Sequence, residues 1–209
     1  MTTTTPTRSE PMAGSPDGPS AFGRIAGISG IVFAVAIIAS QFLVGSMPTA
    51  GDDATAIREY FADNEGPHKV GLVVVGLAIV PLILFATGLA RSQRRAEHDN
   101  DGWSSAVGAF FVYAAAMYTS GLVIDAGLLL SYDSGLSDEL LLSLWDVSLS
   151  ATPLMALGFG AAAACVAFGA ITQGNRARWY AGLCMLAGVG AFVGLGTLVS
   201  VSDCAAGLG

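Results

Sequence analysis

Asp125 is the one acid that falls inside an apolar run of this chain, in Leu122-Val-Ile-Asp125-Ala-Gly-Leu. A carboxyl among hydrocarbon is costly unless a cation or a hydroxyl reaches it. Helical spacing places Ala114, Tyr118, Gly121 and Asp125 on one face of their helix, since seven residues return the wheel by about two turns. That face is expected to point into a bundle. Ser40 and Gln41, toward the outer half of the first apolar run, are placed to share a polar network with it. Lys69 or Arg58 would reach it from the same side. Two chemistries fit: a proton-carrying or cation-binding group, or a structural carboxyl held by hydrogen bonds close to the interface. Trp103 and Tyr132 look like the interfacial anchors of the same helix. Their separation is about 43 Å, the full thickness of a bilayer with its headgroups. Asp125 then lies about 10 Å below Tyr132.

The rest of the inventory excludes more than it offers. The two histidines, His68 and His98, fall on opposite sides of the membrane, so no bis-histidine haem or intramembrane metalloprotease site is expected. The only lysine, Lys69, stands at a span edge, which removes a buried Schiff base. No GxSxG elbow, CxxC pair or phosphate-cradling glycine loop occurs. Cys165 and Cys184 fall within apolar runs and Cys204 just beyond the last one, without metal-ligand spacing. The expectation is a protein that is not an enzyme and has no cofactor, no metal and no nucleic-acid partner.

The elements that must position these residues follow from hydropathy. Hydrophobic residues make up 53% of the chain and charged residues 12%, far from the balance of a soluble domain. Five apolar stretches, at about 25–46, 70–90, 105–130, 149–172 and 180–201, each meet the roughly 20 residues a hydrocarbon core requires. The expected fold is an all-α transmembrane bundle of five spans over residues 21–204, preceded by a disordered cytoplasmic tail at 1–20 rich in Thr, Pro, Ser and Gly. Arg8, Arg24, Arg91, Arg94, Arg95, Arg176 and Arg178 fall on one side; only Arg58 and Lys69 fall on the other. The positive-inside rule then sets the N-terminus in the cytoplasm and the C-terminus outside. The first run is longer than a typical signal-peptide core, so it is expected to be retained.

Between the spans, Asp53 is placed to cap a short surface helix from Ala54 to about Asn64, which Gly66-Pro67 should stop. Ser137, followed by Asp138 and Glu139, opens a second helix that either bends into the fourth span or runs straight on. Pro81 and Pro153 mark kinks. Gly23 with Gly27, and Gly190 with Gly194, form small-residue pairs for close helix packing, within one subunit or across a dimer seam.

At the entry to the fifth run, Gln173-Gly-Asn-Arg176-Ala-Arg178-Trp179-Tyr-Ala-Gly182-Leu resembles a pattern in small multi-pass bacterial membrane proteins of unassigned activity. There a basic loop ends in Arg-Trp before a Gly-rich last helix. The acidic, Ala-rich stretch at 52–64 with Tyr60 and Phe61 is similar to their first outer loop. The resemblance implies a helical bundle in a bacterial plasma membrane and supplies no catalytic residue. Trp179 reads as a further interface anchor. Two functions follow. The first is a non-catalytic membrane protein acting through helix packing, as a homo-oligomer or as an accessory subunit beside a membrane-protein partner, its other partner being the lipid bilayer. The second is a small cation- or proton-linked transporter using Asp125, with Tyr118 and Gln41 beside it.

Overall fold

Asp53 accepts a hydrogen bond from the Ala56 amide at 2.8 Å and so opens the longest element of the protein. The computed structural model describes residues 21–49, 51–97 and 102–172. They form four helices: α1 (Ala21–Val44), α2 (Ala54–Ala96), α3 (Trp103–Ser131) and α4 (Asp138–Thr172). No strand occurs among the described residues. Each helix is long and apolar enough to cross a membrane. The tail at 1–20, Trp179, and the fifth apolar run with Gly190 and Gly194 lie outside the described residues.

The helices run alternately up and down. Contacts pair α1 with α2 and α3 with α4, and α2 joins the two pairs. Two ends can therefore be distinguished: a distal end carrying the connections at 45–53 and 132–137, and a proximal end carrying the connection at 97–102. Much of the apolar surface faces outward, including Ile31, Val35 and Phe42 of α1 and Val112 and Leu130 of α3. In water that surface would cost free energy; in lipid it is the solvated face.

The distal end is held by an aromatic cluster. Ile57, Tyr60 and Phe61 of α2 pack with Leu128 and Leu129 of α3 and Leu141 and Trp145 of α4. Phe61 and Trp145 meet edge-to-face at 5.7 Å between centroids, a favoured aromatic geometry. Arg58 ties the 132–137 turn to α2. It donates to the carbonyls of Tyr132 and Leu136 and pairs with Asp138 at 3.1 Å. At the proximal end, Leu82, Val107, Phe111, Ala162 and Val166 form a second core. Buried Gln93 donates to the Val166 carbonyl at 3.1 Å, and Glu97 accepts from the amide and hydroxyl of Ser104. One close approach needs glycine: a Cβ on Gly88 would stand 2.2 Å from the Ala26 Cβ of α1.

Several expectations are corrected. The surface helix does not stop at Gly66-Pro67; α2 runs unbroken over 43 residues with Pro67 and Pro81 inside it. A mid-helix proline costs about 3 kcal/mol. Burying the Ile57 and Phe61 side chains completely in the distal cluster returns about 1.5–3 kcal/mol each, which offsets that cost. The helix begun at Asp138 likewise runs straight into the fourth span as α4, with Pro153 within it. Trp103 and Tyr132, beyond the interfacial position expected of them, make ring contacts within the bundle: Trp103 stacks on Phe168 of α4, and Tyr132 packs on Phe61. Gly27 is exposed, and a Cβ there would meet nothing within 4 Å; the close contact beside it belongs to Ala26 and Gly88.

Candidate functional site

Because α2 continues through Pro67, one helix carries both Tyr60 and His68, two turns apart on one face. The imidazole of His68 is 1% exposed. It is clamped edge-on by Tyr60 and Phe61, with centroids at 5.7 and 5.3 Å. Its Nε2 lies 3.0 Å from Oδ2 of Asp125 on α3, and its Nδ1 lies 3.0 Å from the Tyr60 hydroxyl. That hydroxyl in turn donates to the carbonyl of Val44, the last residue of α1, at 3.1 Å. Three helices thus meet in one hydrogen-bonded chain: Val44 carbonyl, phenol, imidazole, carboxylate.

Donor counting constrains this chain. The phenol has a single proton. If it goes to Val44, then Nδ1 must carry the proton shared with the phenol oxygen. The bond to Asp125 then needs one more proton, held by Nε2 or by Oδ2. In both forms the His68–Asp125 pair is neutral overall, the inexpensive state away from water. Withdrawing that proton while keeping the imidazole–carboxylate bond moves the imidazole proton to Nε2. The phenol must then turn its own proton to Nδ1 and release Val44. Proton occupancy and the grip on the end of α1 are therefore linked through one hydroxyl.

The pair borders a cavity of about 160 Å³. Its polar lining includes Gln41 of α1, His68 of α2, Tyr118 and Asp125 of α3, and Ser148 and Thr152 of α4. Ser40 also contributes, although its hydroxyl donates to the Ile37 carbonyl at 2.7 Å. The space is enough for a few water molecules or one small polar solute. Gly121 sets one wall, where a Cβ would stand 2.9 Å from the Ala151 Cβ of α4.

Asp125, Tyr118 and Gln41, singled out from the sequence, thus share one cavity wall, and Ala114 and Gly121 on the same face of α3 are buried. The partner expected for Asp125 is corrected. Lys69 pairs with Glu65 one turn away, and Arg58 serves the 132–137 turn and Asp138. The missed residues are His68 and Tyr60. The helical repeat of 57, 60/61, 64 and 68 signals their common face, and Gly66-Pro67 obscured it. Asp125 Oδ1 and Trp145 Nε1 are buried without a hydrogen-bond partner among the described residues.

The chain matches no family model, no curated protein and no solved structure. Function must therefore be argued from the site. Both imidazole nitrogens are engaged, so His68 in this arrangement has none free to activate the Ser148 or Thr152 hydroxyl as a catalytic base would. No group of three metal-ligating side chains occurs among the described residues. What the arrangement can do is take up, hold and pass on a proton, or compensate the charge of a small cation at the cavity wall.

Proposed function

We propose that this protein is a small proton- or cation-linked transporter whose working centre is the Asp125–His68 pair, with Tyr60 behind it and Tyr118 and Gln41 lining the same cavity. One observation carries the reading: a carboxyl and an imidazole, both largely removed from solvent, share a hydrogen bond at the wall of a polar cavity inside an apolar bundle. For packing alone such a pair is a poor choice. Well-packed apolar side chains of equal volume hold helices as well or better than a buried ion pair, so a pair at this place fits a role in moving charge. Intramembrane ionisable groups that border cavities serve proton and ion pathways in this way.

The proposal includes the setting. The protein has five spans, the fifth at about 180–201, and lies in a bacterial plasma membrane with its N-terminus in the cytoplasm and its distal end outside. The seven arginines on one side support this orientation. It performs no covalent chemistry. A second reading, a packing subunit or homo-oligomer, draws on the open face at Gly27, which suits the close approach of another helix.

Reconstitution into liposomes holding a pH-sensitive dye, under an imposed potassium diffusion potential, tests the first reading. Proton entry above empty liposomes is expected for the native chain, and its loss for Asp125→Asn with folding intact. Equal entry in that variant refutes the role of Asp125, and absence of both proton entry and alkali-cation flux above empty liposomes for the native chain refutes the reading.

A further inference from the structure

At the proximal end, α2 and α3 diverge around a groove of about 560 Å³. Small residues keep it open: Ala86 and Ala90 on α2, Gly108 and Ala115 on α3. Its walls are apolar, from Leu82 and Ile83 to Phe111 and Val112, and Val112 is 71% exposed. One end is basic, where Arg91 and Arg94 close the groove beside Ser105. From Leu82 to Arg94 the groove runs about 18 Å along α2, close to the depth of one leaflet. It begins next to Pro81 in the middle of the span and finishes at the last turn of α2.

We infer that this groove binds an anionic phospholipid, with its phosphate on Arg91 and Arg94 and an acyl chain along Ile83, Phe111 and Val112. None of the ion pairs among the described residues uses Arg91 or Arg94. Arg91 lies with its guanidinium 5.0 Å above the Phe22 ring, a contact on its face that leaves its N–H edge free to donate. Of the acids between α2 and α3, Glu97 is engaged by the Ser104 amide and hydroxyl, and Asp99 and Asp101 lie outside the described residues. Charge complementarity also decides between occupants. The final apolar run arrives behind Arg176 and Arg178, which a basic groove end repels, whereas a phosphate is attracted. Basic pockets between helices take anionic headgroups in this manner.

Native mass spectrometry of the full chain, released from nanodiscs of equal phosphatidylglycerol and phosphatidylcholine, reads the occupant. One phosphatidylglycerol is expected to stay bound, with retention roughly fivefold weaker for each arginine replaced in Arg91→Gln and Arg94→Gln. Arg95→Gln, which lies outside this groove, should leave retention unchanged. Both altered arginines project from the end of α2, so folding is expected to persist, and Arg94→Gln alone suffices as the milder variant. Equal retention of the two lipids, or unaltered retention in the double variant, overturns the inference. So does release of the lipid by millimolar inorganic phosphate, which would assign the site to a free anion. A disulfide between V112C and Cys184 in native membranes would seat the last apolar run in the groove and overturn it as well.

Discussion

Replacing Asp125 by asparagine and by leucine separates what the carboxyl does for stability from what it does for protons. Asparagine keeps the shape and offers an N–H to His68 Nε2, while Nδ1 keeps its own proton for the Tyr60 oxygen. Every bond in the chain at 3.0–3.1 Å then survives, and the expected loss of stability is under about 1 kcal/mol. Leucine leaves Nε2 of a 1% exposed imidazole without a partner, which costs about 1–3 kcal/mol. The gap between the variants is thus about 1–2 kcal/mol, measurable by reversible unfolding in bicelles. Adding His68→Leu to Asp125→Leu should recover part of the loss, because an apolar pair has no orphaned group. Coupling between buried polar groups in membranes averages about 0.6 kcal/mol and reaches about 1.7, so a recovery in that range is expected. Strict additivity of the two leucine substitutions would refute the direct His68–Asp125 bond. Equal destabilisation by asparagine and leucine would refute the donor count.

Other tests address the frame. Phe61→Ala, at a side chain with no exposure and contacts to His68, Tyr60, Tyr132 and Trp145, should cost about 3–5 kcal/mol by the same unfolding assay. Gly88→Ala, whose Cβ would meet Ala26 at 2.2 Å, should cost about 1–3 kcal/mol; Ala26→Gly added to it should restore part of this, and Gly27→Ala should have little effect. Arg58→Ala should cost about 1–3 kcal/mol through its two carbonyl bonds. Asp138→Ala, at a 74% exposed partner, should cost no more than about 1 kcal/mol.

Hydropathy made the four described spans legible, because a bilayer sets their length regardless of partners. The cavity face of α3 was legible for a similar reason: Tyr118, Gly121 and Asp125 are fixed relative to each other by helical repeat alone. His68 was not, and the cause is local. Gly66-Pro67 is a sound stop signal in isolation, and it was overridden by apolar side chains that only tertiary packing buries. With a helix end there, Tyr60 and His68 belong to different elements, and the imidazole stands alone at the outer end of the second span. The roles of Trp103 and Tyr132 were obscured similarly, since amphipathic rings suit both a headgroup layer and a neighbouring helix.

Pro81 stands 13 residues from His68 and 13 from Arg94 on the same helix, about 20 Å from each. A helix with a proline at its centre flexes there more readily than elsewhere. A bend of about 5° at that pivot carries His68 through about 1.7 Å, more than half of its 3.0 Å separation from Asp125. The imidazole–carboxylate distance is therefore a gauge of how straight α2 is. A vibrational or magnetic-resonance signal from that pair would register curvature of the whole rod.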